Sequence, residues 1–392
     1  MRPLEGIKVV TFEHAIAAPF CTRQLADLGA RVIKVERPGT GDFARNYDER
    51  VNGLASHFVW TNRSKESITL DVKRPEAMEV VHGLLSDADV FVQNLAPGAT
   101  QRLGLDFEAL RVRYPRLIVC DISGYGLDGP YRDKKAYDLL IQSESGFLSI
   151  TGSEGEPAKA GCSIADIAAG MYAYTNILAA LIERGKTGRG RRIDVSMLES
   201  MVEWMSYPLY YAIDDQTPPK RTGASHATIY PYGPFKAGDG KTVMLGLQNE
   251  REWKSFCEIV IQQPDLAADT RFCSNSRRVE NRAELGHLIE EVFAALTARQ
   301  VIERLEEASI ANAQMNDMQA VWAHEQLVAR QRWTRVATPA GDIPALYPPG
   351  VTPEDAPRMD PVPALGQHTD GILRELGYPE DQIQALHQTG AV

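Results

Sequence analysis

Short apolar runs alternate with amphipathic stretches through roughly the first half of the chain. Residues 6–12 (GIKVVTF) predict a strand, 20–28 (FCTRQLADL) a helix closed by Gly29, and 30–36 (ARVIKVE) a second strand. Strand, helix and strand in that order are a βαβ unit, which implies a parallel sheet covered by helices. The pattern repeats, with strands at 67–72, 90–94, 117–123 and 192–196, and helices at 75–87, 107–114 and about 163–184. Pro75 opens one helix, and Gly185, Gly188 and Gly190 stop the long one.

The pattern changes at 214–223 (DDQTPPKRTG), whose turn residues suit a linker. Beyond it, 232–236 and 242–247 alternate like antiparallel strands around Gly238–Gly240, and helices dominate to about Arg332. The run 344–363 (PALYPPGVTPEDAPRMDPVP) is expected to be extended rather than a regular element, and 366–387 carries one or two further helices. The expectation is α/β: a large Rossmann-like parallel-sheet domain (1–213), a linker (214–225), a smaller α+β domain (226–332), a second linker (333–365), and a C-terminal segment (366–392) returning to the large domain.

Composition narrows the function. With 52 Asp and Glu against 42 Lys and Arg, the formal charge is −10, which disfavours broad binding to nucleic acid or anionic membranes. The N-terminus lacks a signal-peptide core, and no apolar run is expected to approach membrane-spanning length, so the chain reads as cytoplasmic. Its 5 cysteines are scattered with no C-x-x-C pair, which indicates neither a metal site nor a disulfide framework.

The first βα turn tests a dinucleotide-binding reading. Glu36 ends the second strand, where such folds place a ribose ligand, but the turn 13–19 (EHAIAAP) has none of the three glycines that a pyrophosphate requires. The most informative segment is 159–170 (KAGCSIADIAAG). Ser163 and Asp166 have the spacing of a capping box, with Ser163 as N-cap and Asp166 reaching back to its amide. The same position suits a nucleophile, because a helix N-terminus stabilises an ionised carboxylate. Local physics leaves both readings open.

The segments 4–10 (LEGIKVV), 24–38 (QLADLGARVIKVERP), 62–73 (NRSKESITLDVK), 94–104 (NLAPGATQRLG), 166–195, 228–235 (TIYPYGPF) and 239–247 together resemble the class III CoA-transferases, the formyl-CoA and carnitine-CoA transferase family. That resemblance implies an interlocked homodimer with no permanently bound cofactor, acting on CoA thioesters and carboxylic acids. It implies that Asp166 is the nucleophile, forming an aspartyl anhydride and then an aspartyl-CoA thioester. It places CoA contacts at His14, Ala15, Arg37, Leu70, Lys73, Asn94, Leu95, Arg102, Lys135 and Tyr137. Gln142 is expected to line the acyl pocket.

Relatives closest in pattern suggest succinyl-CoA with itaconate, mesaconate, malate or citramalate, and Arg23, Arg45, Arg63, Lys65 and His226 are candidates to hold a second carboxylate. One departure concerns 221–230 (RTGASHATIY), which has a single glycine where formyl-CoA transferase has a glycine run closing over the intermediate; His226 is expected to face the acyl site instead. The α-methylacyl-CoA racemases share the fold but use a His-Asp pair where this chain has Tyr137-Asp138, and a tyrosine of ordinary pKa near 10 is a poor base near neutrality. A non-catalytic CoA-binding subunit is the remaining alternative, against which the retained Asp166 argues.

Overall fold

A computed structural model describes residues 2–392 as two compact units. The first comprises the chain to Ser145, Ala160–Met205 and Glu325–Val392, and the second Gly146–Lys159 and Ser206–His324.

The first unit is built on β1 (Lys8–Phe12), α1 (Ala17–Asp27), β2 (Arg31–Glu36), α2 (Ser56–Asn62), β3 (Lys65–Thr69), α3 (Pro75–Ser86), β4 (Val90–Gln93), α4 (Ala99–Leu103), α5 (Phe107–Arg113), β5 (Ile118–Ser123) and α6 (Asp138–Glu144). After an excursion into the second unit through α7 (Phe147–Ile150), β6 (Gly152–Ser153) and β7 (Glu156–Pro157), it resumes with α8 (Ile164–Thr187), β8 (Arg192–Ser196) and α9 (Met197–Tyr211). Its sheet is six-stranded and parallel, in the order β3-β2-β1-β4-β5-β8. The sequence pattern therefore gave the strands within a few residues, whereas the short helices α2, α4 and α6 lay outside it. Each is too brief to show a 3.6-residue period clearly.

The order reverses between β1 and β4, and in open α/β sheets ligands bind at the carboxyl ends of strands at such a switch. One face of the sheet packs through Val10, Ile33, Ile68 and Phe91 against α3, with Ile372, Leu373, Ile383 and Leu386 of the C-terminal helices Thr369–Glu375 and Glu380–Thr389 in the same core. Not all of 344–363 is irregular: Ile343–Leu346 pairs antiparallel with Trp333–Val336, and Val362 is buried with Phe58 and Val59.

At 24 residues α8 is, by length and composition, apolar enough to cross a membrane, which corrects the expectation that no run approaches that length. It packs instead on α1 through small residues, Ala165, Ala168, Ala169, Gly170 and Ala173 being buried. Gly170 sets the closeness of that approach, since a Cβ there would lie 2.7 Å from the Ala17 carbonyl oxygen and 3.0 Å from Phe20 Cδ1.

The division between the units falls within α9 at Ser206, whose φ of 46° and ψ of −131° break the helix just before Pro208. In the second unit, β9 (Tyr232–Lys236), β10 (Thr242–Gly246) and β11 (Ala311–Gln314) form an antiparallel sheet in the order β11-β10-β9. Helices α10 (Glu250–Ser255), α11 (Asn275–Glu280), α12 (Arg282–Ala294) and α13 (Ala298–Glu307) bury Trp253, Phe256, Phe293, Val301 and Leu305 with it. The β6–β7 hairpin joins this unit because the Gly223 amide donates to the Gly152 carbonyl at 2.7 Å, while Arg221 donates to the carbonyls of Ser153 and Glu154.

Gly170→Ala provides a test of the α1–α8 contact. Alanine is the better helix former by about 1 kcal/mol, yet overpacking against a backbone carbonyl is expected to dominate, with a net loss of about 1–3 kcal/mol in denaturant unfolding. A stabilised variant would show that the helices have room to part.

Candidate active site

At the carboxyl ends of β1 and β4, two loops are tied to each other. The His14 amide donates to Asn94 Oδ1 at 2.8 Å, and Asn94 Nδ2 donates to the His14 carbonyl at 2.9 Å. The next residue, Ala15, takes a φ of 60°, a left-handed conformation that costs a non-glycine residue of order 1 kcal/mol, and its amide donates to Asp42 Oδ1 at 3.1 Å. Leu95 is fixed by donating to Gln93 Oε1, and Gln93 in turn donates to Asp121.

Beneath these loops lies a buried charge network. Lys34, flanked by Ile33 and Val35 inside β2, donates to Asp42 Oδ2 at 2.7 Å and lies 3.4 Å from Glu13 Oε1. Lys65 donates to Glu13 Oε1 at 2.6 Å, and both lysines donate to Asn62 Oδ1. Burial alone would push the Asp42 and Glu13 carboxyls up, but the adjacent lysine charges outweigh it and hold both below the usual carboxylate range. Burial lowers Lys65 to about 8 despite Glu13.

Four of the five residues expected to hold a second carboxylate prove to be committed internally. Arg23 and Arg63 both bind Asp27, Arg45 binds Glu36 through two hydrogen bonds, and Lys65 binds Glu13.

Asp166 stands in the first turn of α8, half-buried, and its side chain accepts no hydrogen bond among the described residues. The capping box is absent. Ser163 makes no side-chain cap, and the helix is capped from outside by Asp138, whose Oδ1 accepts from the Ala165 amide at 2.8 Å and the Asp166 amide at 3.4 Å. The expected stabilisation of ionised Asp166 by the helix terminus is thereby overturned. Burial, with the charge of Asp138 added, pushes its carboxyl up to about 7. Tyr47, beside Asp166 and Tyr137, is raised to about 12 by burial and by the charges of Asp42 and Asp166. Its ring continues an aromatic row in which His14 stacks on Phe43 at 5.1 Å, Phe43 meets Tyr47, and Tyr47 meets His57 edge-on.

The expected contacts thus fall into three groups. His14, Ala15, Asn94 and Leu95 come together at the switch point. Arg37, Lys73, Arg102 and Lys135 are exposed cations with no ion pair among the described residues, and Tyr137 is exposed at the N-cap of α6. Leu70 is 2% exposed in the core, and its amide donates to the Glu36 carbonyl at 2.8 Å.

Gln142 is buried and points at Asp138, to which it donates at 2.6 Å. His226 anchors its own turn: Nδ1 accepts from the amides of Thr228 and Ile229, and the ring stacks on Tyr232 at 5.2 Å. Burial, aided by the charge of Arg282, lowers its pKa. Sequence reasoning missed the roles of Asp42, Asp138, Tyr47 and Lys34. Only Lys34 left a signal, since a lysine inside a strand buried on both faces demands a partner.

A doubly wound parallel sheet with loops cross-tied at its switch point, exposed cations with no ion pair among the described residues and a carboxylate in a helix's first turn make up the candidate site. The chain belongs to CoA-transferase family III, whose model matches residues 4–369. It is 34% identical to a human succinyl-CoA:glutarate CoA-transferase over 397 residues, covering 100% of this chain and 90% of that protein. It is also 34% identical to a succinate–glutarate CoA-transferase of Agrobacterium fabrum, covering 95% of this chain and 96% of the relative. A crystal structure of a CAIB/BAIF family protein from Brucella suis superposes with a TM-score of 0.83 at 34% identity, covering 96% of this chain and 99% of that one.

The raised Asp166 carboxyl makes stability depend on pH. The folded chain holds this proton more tightly than the unfolded chain, so the contribution is full below about pH 4, where a free aspartate titrates. It is lost as pH rises to about 7. Asp166→Asn is therefore expected to be more stable than wild type at pH 8 by about 1–3 kcal/mol, with the gap closing toward pH 4. Denaturant titrations at both pH values check this, and an identical gap at the two would remove the shift.

Proposed function

We propose that this enzyme moves CoA from succinyl-CoA, or a similar dicarboxyl-CoA, to a C4–C5 dicarboxylic acid through covalent intermediates on Asp166. The observation that carries the reading is the Asp166 carboxylate itself, which is half-buried, accepts no hydrogen bond among the described residues and is pushed up to about 7. A carboxylate without hydrogen-bond donors and partly shielded from water is more basic and more nucleophilic than an exposed one.

Asp166 attacks the thioester carbonyl, and the C–S bond breaks to leave a mixed anhydride and CoA thiolate. The thiolate attacks the aspartyl carbonyl, expelling the donor acid as a carboxylate and forming the aspartyl-CoA thioester. The acceptor carboxylate then attacks that thioester, and the returning thiolate takes its acyl group from the second anhydride, regenerating Asp166. The similarity to succinyl-CoA:glutarate and succinate–glutarate CoA-transferases supports succinyl-CoA as donor and adds glutarate to itaconate, mesaconate, malate and citramalate as acceptors.

CoA carries three phosphate groups, and Arg37, Lys73, Arg102 and Lys135, exposed and with no ion pair among the described residues, supply the cations for them. His14 and Asn94 frame the switch point over which such a ligand would lie. The buried arginines and Lys65 are neutralised by their own carboxylates, so the distal carboxylate of the acid is held by other groups.

Asp166→Asn is expected to abolish transfer while folding normally, because an amide forms no anhydride. In the wild type, incubation with succinyl-CoA and no acceptor followed by hydroxylamine should leave a hydroxamate on the peptide containing Asp166. Label on another residue, or full activity in Asp166→Asn, would sink the mechanism. For CoA, Arg37→Ala and Arg102→Ala should each raise the Michaelis constant for succinyl-CoA about tenfold or more, the scale of a lost charge-assisted contact of about 1.5–3 kcal/mol. Unchanged constants in both would remove these arginines from the site.

A further inference from the structure

The side chain of Gln142 is fully buried, and both ends of its amide are used. Nε2 donates to Asp138 Oδ2 at 2.6 Å, and Oε1 accepts from the Ala160 amide at 2.9 Å. That orientation is forced, because an amide N–H faces one end and a carboxylate the other. The other carboxylate oxygen of Asp138 accepts from Ala165 and Asp166. Gln142 and the Asp138 it holds therefore tie α6 to both ends of the loop 160–165 that delivers Asp166. Leucine neither donates nor accepts, an ionised glutamate only accepts, and of the side chains of this size and shape only a protonated glutamic acid shares the donor-and-acceptor pair.

We propose that Gln142 is a positioning residue for transfer: it holds Asp138 across the second and third amides of α8, those of Ala165 and Asp166, and so denies those donors to the Asp166 carboxylate. The proposal rests on Asp166 being the nucleophile. Without the clamp, Asp138 is free to turn away, and the amides of Ala165 and Asp166 are free to bind the nearest remaining carboxylate, which is Asp166. A carboxylate that accepts amide hydrogen bonds is less basic and is aimed back along its own helix. The titratable groups acting on Asp166 or facing it are few. Asp138 lies on α6, Tyr137 at its N-cap, and Tyr47 just after the short helix Phe43–Asn46. Burial, reinforced by nearby carboxylates, keeps the Tyr47 hydroxyl protonated through neutral pH.

The test compares Gln142→Leu and Gln142→Glu with the wild type in the full chain, using succinyl-CoA and glutarate. Gln142→Leu is expected to lower kcat roughly tenfold to a hundredfold with the KM for succinyl-CoA within about twofold, the pattern of a misplaced reacting group rather than a lost binding contact. The acid limb of its pH–rate profile should move down by about one unit, and the loss of stability between pH 4 and 7 should shrink. Gln142→Glu should exceed Gln142→Leu at pH 5.5, where the introduced carboxyl holds a proton to donate to Asp138, and lose that advantage at pH 8, where two adjacent carboxylates repel.

An unshifted acid limb and wild-type kcat in Gln142→Leu would overturn the proposal, as would a Gln142→Glu variant that tracks Gln142→Leu at every pH. Should Gln142→Leu fail to fold, the pH-dependent rescue in Gln142→Glu decides. Hydroxylamine trapping separates the two layers. No label on wild-type Asp166 removes the nucleophile and this proposal with it, whereas a labelled wild type with unshifted variants removes only the role of Gln142.

Discussion

The carboxyl edge of the parallel sheet depends on the ion pairs between Lys34, Asp42, Glu13 and Lys65. Each of the four is fully or almost fully shielded from water, and removing one partner would leave an uncompensated buried charge, at a cost of about 3–5 kcal/mol. The network therefore behaves as a unit. Its upper side is the Asp42 carboxylate, which also holds the Ala15 and Ala44 amides and so sets the strained turn at the switch point. Through Glu36, Arg45 and Ser67 a neighbouring set of hydrogen bonds extends the same rigidity to β3 and to the loop before the C-terminal helices. The loops over which a ligand would lie are thus braced from below by charge, with apolar packing deeper in the sheet.

Above this rigid base the α8 terminus shows an opposite economy. A helix N-terminus with an aspartate in its first turn normally stabilises the anion and the fold together. Here a second aspartate from another helix takes the amides, and the first is left desolvated beside a like charge. Stability is given up at neutral pH, and a more basic carboxylate results. Strongly perturbed titratable groups in such a position are characteristic of reacting centres. The local physics therefore favours the side chain that the sequence resemblance implied as nucleophile.

How much of this was legible in the sequence differs from element to element. The βαβ repeat was readable because parallel strands buried on both faces are continuous apolar runs, and α8 was readable from its length and its glycine stop. Asp166 was visible as a candidate, but its environment was not: residue spacing suggested a capping box with Ser163, whereas the actual cap comes from Asp138, on another helix. Arg23, Arg45, Arg63 and Lys65 looked available for substrate, and each turned out to have a carboxylate partner brought to it by the fold.

What the sequence determined by itself was local: the period of its hydrophobic positions, the stops written by glycine and proline, and the family resemblance carried by short ordered motifs. The tertiary structure alone decided which charges are spent internally and which remain for a ligand, because a salt bridge depends on distance in space and says little of itself in residue order. It alone decided that Gln142 donates to the Asp138 carboxylate and that the His226 ring accepts from the amides of its own turn. The physical reason is common to all of these. Secondary structure follows from neighbours along the chain, whereas the pKa and the hydrogen-bond partners of a side chain follow from neighbours that only folding brings within 3 Å or so.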